Sequence, residues 1–571
     1  MQPSSHVDSF ARDRLPPAHA LADCIFELPE LQFPPRLNCA VPLLDLWVAQ
    51  GHGSRPCVQD ASTRWTYAEL QAQANRIAHV LVAELGLVPG NRVLLRGANS
   101  PMLAACWFAV VKAGGIAVGS MPLLRAGEVA AIVEKAQVSH ALCDARLAGE
   151  LQAAQGRCPT LRHTLLFNGD AVAAPASHVD FTAPASHVDV TAPASLEARA
   201  AAQPAQFDAV DTAADDVCLM AFTSGTTGVP KGTLHFHRDV MAACACWPPH
   251  VLRARPDDVF IGSPPLAFTF GLGGLLLFPL SIGASTVLLD KASPDALLQA
   301  IALHRATVCF TAPTSYRAMA LALQAARAAG ESAGQAADLS SLRKCVSAGE
   351  ALPAATRLLW KQATGIDIID GIGSTEMFHI FISADEVQAR PGATGLPVPG
   401  YRAAVLGDNG QPLPPGQVGR LAVQGPTGCK YLDDPRQAAY VQNGWNITGD
   451  AYLVDADGQF VYQARTDDMI ISGGYNIAGP EVEGALLLHP AVAECGVVGL
   501  PDAARGMIVK AVVVLKPGVQ PDAALALALQ DFVKQTIAPY KYPRAIEFRT
   551  ALPRTETGKL QRFRLRLATQ D

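Results

Sequence analysis

The fold is decided by the stretch Thr223–Gly232, Thr-Ser-Gly-Thr-Thr-Gly-Val-Pro-Lys-Gly, which follows Val217–Phe222, an apolar run of strand length. The glycines let the backbone turn tightly and bring its N–H groups close to an anion, the hydroxyls add donors, and Lys231 adds a positive charge. Because Lys231 precedes Gly232 rather than Ser or Thr, the stretch is not a Walker A loop. The pattern predicts a strand followed by a polyphosphate-binding loop, with an ordinary surface loop as the alternative.

The composition limits the class of protein. A chain of 571 residues is too long for one core, and a net charge of −6 gives no sign of a nucleic-acid partner. The 13 cysteines lie mostly in apolar runs without a Cys-x-x-Cys pair, which predicts buried thiols in a reducing compartment. The N-terminal residues carry Asp8 and Asp13 and no apolar run, so we predict no secretory signal and a cytoplasmic location.

Short apolar runs alternate with alanine-rich helical stretches on both sides of the loop. The predicted strands are Arg92–Leu95, Ile116–Val118, His140–Cys143, Val259–Gly262, Thr286–Leu289, Thr307–Phe310, Lys344–Ser347 and Asp367–Ile369. This alternation is typical of parallel strands with crossover helices. We predict an α/β fold in which a large N-terminal domain of mixed or parallel sheets flanked by helices, with a small β subdomain, precedes a small mobile α+β C-terminal lid.

Changes in composition mark the predicted domain boundaries. Residues 1–40 are polar and proline-spotted, which predicts a loosely packed arm. The large domain is predicted over 41–466, and its β subdomain over 400–466, where short strands alternate with Gly and Pro turns. The C-terminal lid is predicted over 467–571.

Two segments depart from the alternating pattern. Residues 174–195 hold a tandem copy of a nine-residue unit, which predicts a disordered surface loop rather than a metal site at His178 and His187. Phe270–Leu289 is almost wholly apolar, but its glycines and proline favour a helix, a break at Ser281–Gly283 and a buried strand over a membrane span.

Six motifs occur in a fixed order along the chain. They are Thr223–Gly232, Gly373-Ser374-Thr375-Glu376, Thr448-Gly449-Asp450, Arg465–Ile470, Gly473-Gly474-Tyr475-Asn476 and Pro553–Lys559. Together they resemble the acyl-adenylate-forming superfamily of acyl-CoA ligases, carrier-protein adenylation domains and luciferases, from about Asp45 to the end of the chain. One such motif alone is a weak signal, but the order and spacing of the set are specific.

The resemblance implies an ATP site with Mg²⁺ beside it. The residues implied for ATP are Thr223, Ser224, Gly225, Thr227, Gly228 and Lys231 at the phosphates, Asp370, Gly371 and Gly373 at the adenine, Asp450 at the ribose, Arg465 at the ribose or phosphate, and Ser374 and Thr375 elsewhere in the nucleotide site. Thr226 and Glu376 are implied beside the metal ion. Without the resemblance, Glu376 could cap a helix and Asp450 could be a turn aspartate.

The resemblance also gives the C-terminal lid two tasks. Lys559 would bridge the substrate carboxylate and the α-phosphate during adenylation, although most lysines are simply solvated. The lid would then rotate about Asp467, and Gly473, Gly474 and Tyr475 would line a tunnel for the pantetheine arm of coenzyme A. A plain Gly-Gly turn is the alternative for that last segment.

The acid pocket resembles the aryl-acid branch, especially benzoate–CoA and 2-aminobenzoate–CoA ligases. The residues implied for the acid are Ala267, Phe268, Gly271, His379 and Ile380. Phe268 could stack on a flat ring, and His379 could lie near the carboxylate or an ortho substituent. A histidine in an apolar run is otherwise often a satisfied core residue.

The resulting hypothesis is an ATP-dependent ligase that forms an aryl-adenylate and then an aryl-CoA, with 2-aminobenzoate as the best-matching acid. Lys559, Thr226, Glu376 and His379 are the implied catalytic residues. The partners are then an aromatic acid, ATP and CoA, with no nucleic acid or membrane, and a homodimer is compatible. The alternatives are an adenylation protein that loads a carrier-protein thiol and a nucleotide-binding sensor without turnover.

Overall fold

The computed structural model describes most of the chain. The described residues are 3–169, 195–223, 230–328, 337–465, 468–472, 475–502, 505–554 and 559–567. The repeated segment predicted at 174–195 lies outside them except for its last residue, Ser195, whose hydroxyl accepts a hydrogen bond from the Ala198 N–H at the start of a helix.

The strands of the described residues are numbered in chain order. They are β1 Pro56–Gln59, β2 Arg64–Thr66, β3 Arg92–Arg96, β4 Ile116–Ser120, β5 His140–Asp144, β6 His163–Phe167, β7 Val217–Thr223, β8 Lys231–Phe236, β9 Val259–Gly262, β10 Ser285–Val287, β11 Val308–Thr311, β12 Lys344–Ser347, β13 Ile368–Gly373, β14 Ile380–Ser383, β15 Leu396–Pro397, β16 Arg402–Leu406, β17 Gly419–Gln424, β18 Val441–Gln442, β19 Trp445–Val454, β20 Phe460–Arg465, β21 Ile470–Ser472, β22 Tyr475–Ile477, β23 Val492–Asp502, β24 Gly506–Leu515 and β25 Ala545–Phe548.

The α-helices lie between and after these strands. They are α1 Phe10–Asp13, α2 Tyr67–His79, α3 Pro101–Lys112, α4 Ala126–Ala136, α5 Ala148–Gln155, α6 Leu196–Ala201, α7 His237–Trp247, α8 Thr269–Leu272, α9 Phe278–Ser281, α10 Pro294–His304, α11 Pro313–Ala328, α12 Ala354–Thr364, α13 Gln437–Tyr440, α14 Gly479–Leu486, α15 Ala523–Thr536 and α16 Arg562–Leu567.

Two largely parallel sheets form the centre of the large domain. One has the strand order β6–β5–β3–β4–β7–β8, and only its β7–β8 hairpin is antiparallel among the described strands. The other has the order β15–β14–β13–β12–β11–β9–β10–β1–β2, parallel from β13 to β1. Central strands such as β3, β5 and β11 are buried on both faces, as expected for parallel sheets covered by helices. The predicted α/β class is confirmed.

Two smaller sheets follow along the chain. The strands of the first, β16–β17–β19–β18 with β20 on β19, are all antiparallel and lie in the predicted β subdomain. The second, β22–β21–β24–β23 with β25 on β24, packs against α14 and α15 through its own apolar cluster. A smaller C-terminal α+β domain therefore has a hydrophobic core of its own.

The capping box predicted from the sequence starts α2. The Thr66 hydroxyl accepts a hydrogen bond from the Glu69 N–H, and the Glu69 carboxylate accepts one from the Thr66 N–H. This arrangement satisfies two backbone donors that a helix start would otherwise leave unpaired. The apolar face of the helix, Leu70, Ala74 and Ile77, is fully buried.

The apolar stretch at 270–289 folds as expected from its glycines. Short helical segments end at Ser281, and the buried strand β10 follows. In the part of the chain that the structure describes, no helix combines the length and the apolar character needed to cross a membrane.

The N-terminal arm differs from the prediction. Instead of packing loosely, it is bound to the large domain: the Asp216 carboxylate accepts hydrogen bonds from the Ser4 hydroxyl and the Ser5 N–H, and Asp8 pairs with Arg92. Cys24 forms a β-bridge to Gly425. Polar residues predicted a solvated segment, but here they supply specific hydrogen bonds to the large domain.

Candidate active site

The predicted site motifs gather where strands of the two parallel sheets end. β7 ends at Thr223, β12 ends just before Ala348-Gly349-Glu350, and β13 ends at Gly373, before Glu376. Carboxyl ends of parallel strands are where open α/β sheets bind their ligands. The fold therefore brings motifs that are distant in sequence to the carboxyl ends of the sheet strands.

The central part of the phosphate-loop motif lies outside the described residues. This applies to Ser224, Gly225, Thr226, Thr227 and Gly228. The two ends of the loop are described: Thr223 and Lys231 pair with each other across the β7–β8 hairpin.

Glu376, Tyr431 and Lys231 form a buried cluster beside that hairpin. The Tyr431 hydroxyl donates a hydrogen bond of 2.5 Å to the Glu376 carboxylate, which is only 8% exposed. The Lys231 ammonium lies 5.3 Å from the centre of the Tyr431 ring and 3.5 Å from its hydroxyl oxygen. Burial and the nearby Glu376 carboxylate raise the pKa of Tyr431, which keeps it a donor. The cluster combines a fixed carboxylate with a nearby cation.

Asp450 and Arg465 face each other on neighbouring strands. They pair in register between β19 and β20, and the Arg465 guanidinium lies 3.2 Å from the Asp450 carboxylate. Burial raises the pKa of Asp450, while the charges of Arg465 and Lys559 act in the opposite direction. The structure thus brings together the two residues predicted for the ribose.

The residues predicted for the adenine lie along β13, and two further residues predicted for the nucleotide lie just after it. Asp370, Gly371 and Gly373 belong to the strand, and Ser374 and Thr375 follow it. Burial raises the pKa of Asp370 to about 7, and its Oδ1 atom has no hydrogen-bond partner among the described residues. The Thr375 carbonyl accepts a hydrogen bond from the His235 ring, and the Ser374 and Tyr440 hydroxyls are 3.1 Å apart.

The C-terminal domain brings Lys559 to this same region. The Lys559 Cε atom lies 3.7 Å from the position that a Cβ atom would take on Gly349, just beyond the end of β12. Its charge lowers the pKa values of Asp450 and of Glu350, although burial has the larger, opposite effect on both. Lys559, which is predicted to contact the nucleotide, therefore lies close to Asp450, which is predicted to bind the ribose.

Two arginines join the C-terminal domain to the large domain. Arg554 lies 3.4 Å from Glu350 of the large domain and 2.8 Å from Glu494 of its own domain. The Arg317 guanidinium, on α11, donates to the carbonyls of Val492 and Ala493. Both contacts hold Lys559 on the large domain.

His379 is enclosed by aromatic side chains. Its ring centre lies 4.4 Å from that of Phe278, 5.5 Å from that of Phe270 and 5.9 Å from that of Trp247. Burial lowers its pKa to about 3, so the ring is neutral. Its Nε2 atom lies 3.3 Å from the Phe270 carbonyl, and Nδ1 has no partner among the described residues.

The other residues predicted for the acid divide between two places. Ala267 and Phe268 line an apolar cavity with about 450 Å³ of empty space, open mouth included. Gly271 and Ile380 are not among the residues that line this cavity. Ile380 instead packs on Gly371, and a Cβ on Gly271 would lie 2.1 Å from the Pro265 carbonyl oxygen. His379 is likewise not among the residues that line this cavity.

The predicted CoA segment is only partly described. Asp467, Gly473 and Gly474 lie outside the described residues. Tyr475 begins β22, is 56% exposed, and stacks on Tyr540 with ring centres 4.5 Å apart.

Sequence reasoning missed three residues of this region: Tyr431, Glu350 and Arg554. Glu350 follows the carboxyl end of a predicted strand, which is a signal that could have been used. Arg554 belongs to the Pro553–Lys559 motif but was assigned no role. Tyr431 gave no local signal, because its partners Glu376 and Lys231 are distant in sequence.

The chain matches the family described as AMP-binding enzyme over residues 46–431, and the AMP-binding enzyme C-terminal domain over residues 481–559. The first match alone covers more than half of the chain. The protein therefore belongs to the AMP-binding enzyme family.

Its relatives include several aryl-acid–CoA ligases. It is 35% identical to a benzoate–CoA ligase of Thauera aromatica, over 95% of this chain and 98% of that protein. It is 33% identical to a 4-hydroxybenzoate–CoA/benzoate–CoA ligase of Rhodopseudomonas palustris, over 93% and 94%. The crystal structure of the anthranilate CoA ligase AuaEII with anthranoyl-AMP superposes with a TM-score of 0.85 at 35% identity, covering 95% of this chain and 99% of that one.

These similarities confirm the predicted resemblance to the aryl-acid–CoA ligase branch and the predicted enzyme class, an AMP-forming acid–CoA ligase. They also confirm the arrangement of a large α/β domain followed by a smaller C-terminal domain. The predicted domain boundaries and the roles of individual residues remain predictions.

Proposed function

We propose that this enzyme adenylates 2-aminobenzoate, or a closely related benzoate, with ATP and then transfers the aroyl group to CoA, releasing AMP and pyrophosphate. The observation that carries the proposal is the position of Lys559 against Gly349, with Asp450 and Glu350 within range of its charge. An ammonium group on a flexible stem is suited to a site where negative charge develops.

In the first half-reaction, a carboxylate oxygen of the acid attacks the α-phosphorus of ATP, and pyrophosphate leaves. Lys559 bridges the carboxylate and the α-phosphate and stabilises the charge of the transition state. The Thr223–Gly232 loop holds the leaving phosphates, with Lys231 at its end. Phosphoryl chemistry depends mainly on positioning and charge neutralisation, which these groups supply.

The nucleotide is held by groups of the large domain. The Asp450 carboxylate accepts hydrogen bonds from the ribose hydroxyls, and Arg465 keeps it oriented from the facing strand. Asp370, with its raised pKa and a carboxylate oxygen that lacks a partner among the described residues, can donate a proton to a ring nitrogen of adenine. Gly371 and Gly373 let β13 pack closely on Ile380 and on the His379 backbone, which holds this part of the adenine site in place.

The donor set also fits Mg²⁺. Carboxylate oxygens are preferred ligands of Mg²⁺, and the buried Glu376 carboxylate is fixed by Tyr431 without using all its acceptor positions. Glu376, with Thr226 from the phosphate loop, would hold the ion. When bound, Mg²⁺ supplies charge neutralisation at the phosphates.

The second half-reaction requires another position of the C-terminal domain. Rotation about Asp467 removes Lys559 and brings Gly473, Gly474 and Tyr475 to line the pantetheine tunnel. The CoA thiol then attacks the aroyl carbonyl and AMP leaves. The exposure of Tyr475 and the separate apolar core of the C-terminal domain support a domain that can change position.

The aromatic acid is supported by the surroundings of His379 and by the similarity to the anthranilate and benzoate ligases. Because the Phe270 carbonyl can only accept, the His379 Nε2 atom carries the proton in that contact. Its Nδ1 atom is then an acceptor, suited to an ortho-amino N–H. Phe268 and Ala267 provide an adjoining apolar wall in the proposal.

A pyrophosphate-release assay over ortho-, meta- and para-substituted benzoates tests this proposal. We expect the highest kcat/KM for 2-aminobenzoate, and a lower value for benzoate, which cannot donate to His379. A preference for aliphatic acids would contradict the aryl assignment. Silence with aryl, acyl and amino acids would favour a nucleotide-binding sensor.

Thioester formation separates the remaining alternative. Free CoA should accept the aroyl group, whereas transfer only to a pantetheinylated carrier protein would favour the carrier-loading function. The proposal includes a cytoplasmic location, which the unpaired cysteines support, and a homodimer, which light scattering of the purified protein tests.

A further inference from the structure

A buried group of two thiols and an imidazole lies at the base of the β7–β8 hairpin, apart from the residues proposed above for catalysis. Cys39, Cys218 and His237 are each at most 1% exposed. One ligand atom from each, the two Sγ atoms and a ring nitrogen, lie within 4.8 Å of one another. The three residues come from distant parts of the sequence.

The fold explains why these side chains converge. The register of β7 against β8 shifts between Val217 and Leu219, which makes Cys218 the irregular residue of the hairpin. His237 is the first residue of α7, directly after β8. Cys39 precedes the helical turn Val41–Asp45 and reaches the hairpin from the segment that follows the N-terminal arm. The cluster therefore joins three elements at one point.

Cys39 and His237 are already in direct contact within this cluster. The His237 Nδ1 atom accepts a hydrogen bond of 3.1 Å from the Cys39 N–H and lies 3.3 Å from the Cys39 Sγ atom. Burial alone would raise the pKa of Cys39, but the Cys218 thiol and His237 lower it to about 6. The His237 Nε2 atom is buried without a partner among the described residues.

We propose that Cys39, Cys218 and His237 form a binding site for a thiophilic d¹⁰ metal ion, Zn²⁺ or Cu⁺. Thiolate and imidazole are the ligands that these ions prefer. With Zn–S of about 2.3 Å and Zn–N of about 2.0 Å, tetrahedral ligation separates a sulfur from a nitrogen by roughly 3.5 Å. The Cys39 Sγ–His237 Nδ1 distance of 3.3 Å is close to this value, and on metal binding Nδ1 exchanges its hydrogen bond from the Cys39 N–H for the bond to the ion.

Charge balance also suits a buried ion. Binding of Zn²⁺ displaces the protons of both thiols, so that two thiolates and a neutral imidazole leave the site without net charge. An uncompensated charge would be costly in this interior. The ion has to enter while the chain folds or during local opening, because all three residues are enclosed.

A bound ion would clamp the hairpin that carries the phosphate loop. Cys218 lies on β7, which ends at Thr223, and His237 follows β8, which begins at Lys231. The site would therefore stabilise the base of the loop against the segment at Cys39. None of Cys39, Cys218 and His237 is a residue proposed for ATP or the acid. Loss of the ion would therefore leave the proposed chemistry intact in kind, and the two proposals can fail separately.

The test measures metal content of the full-length protein produced with added Zn²⁺, and separately after anaerobic refolding with Cu⁺ and a chromophoric competitor. We expect about one ion per chain in the wild type and less than about a tenth in Cys218→Ala and Cys39→Ala. The matched control is Cys345→Ala, which removes an equally buried thiol from β12 and should keep the ion. Circular dichroism shows whether each variant is folded.

X-ray absorption spectroscopy at the metal edge identifies the ligand atoms in the wild-type protein, so this measurement does not depend on any variant. A ligand shell of two sulfur atoms and one imidazole supports the proposal. The preparation that takes up metal, with Zn²⁺ or with Cu⁺, identifies the ion. A shell of nitrogen and oxygen alone, retention of the ion in both folded cluster variants, or no uptake in either arm would overturn it.

Discussion

The two sides of the candidate site are built differently. On the large domain, Glu376, Asp450 and Asp370 are at most 9% exposed and are fixed by hydrogen bonds or by burial next to the parallel sheets. On the C-terminal domain, Lys559 and Tyr475 are exposed, and the ion pair between Arg554 and Glu350 links this domain to the large domain. The difference suggests that packing sets the position of the nucleotide, whereas breakable ion pairs set the position of the lysine.

The largest effect should come from Lys559→Ala. Removing one preorganised charge from a transition state costs about 100-fold to 1000-fold in rate. Pyrophosphate release should fall by this factor, while aroyl-CoA formation from supplied aroyl-adenylate should stay near the wild-type rate. Lys534→Ala, at a partly exposed pair in the same domain, is the control and should change neither step. An equal loss of adenylation and of thioester formation would contradict the idea that Lys559 of the C-terminal domain serves only the first step.

The buried carboxyl group of Asp370, on the large domain, should make the stability of the protein depend on pH. Its folded pKa of about 7 is above its usual value, so stability is lost as pH rises between about 4 and 7. Asp370→Asn removes this loss, and its stabilising effect should grow by about 3 kcal/mol from pH 5 to pH 8. Denaturant unfolding at both pH values measures the difference.

Asp367→Asn is the matched control for that measurement. Burial acts to raise the pKa of Asp367, but its hydrogen bonds and ion pairs with Lys361 and Arg357 lower it overall. Its contribution to stability is therefore present above its usual pKa and is lost as pH falls. This variant should destabilise the protein at pH 8, and the same sign for both variants would refute the assignment.

Tyr431→Phe should have an intermediate effect on adenylation. It removes the hydroxyl that fixes Glu376, and a hydrogen bond to a charged group contributes about 1.5 kcal/mol, or roughly tenfold in rate. Initial rates of pyrophosphate release measure the loss. Tyr440→Phe is the control, because that hydroxyl contacts Ser374 instead. If both variants lower the rate of pyrophosphate release equally, the position of the Glu376 carboxylate does not depend on the Tyr431 hydroxyl.

The smallest effect is expected from Glu350→Gln. It weakens the ion pair between Arg554 and the large domain, and a partly exposed pair contributes up to about 1 kcal/mol, so adenylation should fall about threefold. Thioester formation from supplied aroyl-adenylate should not fall. Glu494→Gln removes only the pair within the C-terminal domain and should leave adenylation unchanged. Because burial raises the pKa of Glu350, lowering the pH should imitate Glu350→Gln.

Several elements could be predicted from local pattern. β9 and β12 have the predicted bounds, and the capping box at Thr66 and Glu69 starts α2 as expected. These features depend on neighbours in sequence, which is why residue type and spacing are sufficient. The N-terminal arm was predicted incorrectly, because the partners of Ser4 and Asp8 are Asp216 and Arg92, far away in sequence.

By itself, the sequence determined the alternating α/β elements and the order of the motifs, because each is encoded in a short local pattern. The roles of Lys559, Asp450 and Glu376 are predictions from the family resemblance of those motifs. Only the tertiary structure decided that Tyr431 fixes Glu376, that Glu350 pairs with Arg554, and that two cysteines meet a histidine at the base of the β7–β8 hairpin. Such contacts join residues from distant elements. They follow from how the sheets and helices pack, which no local pattern records.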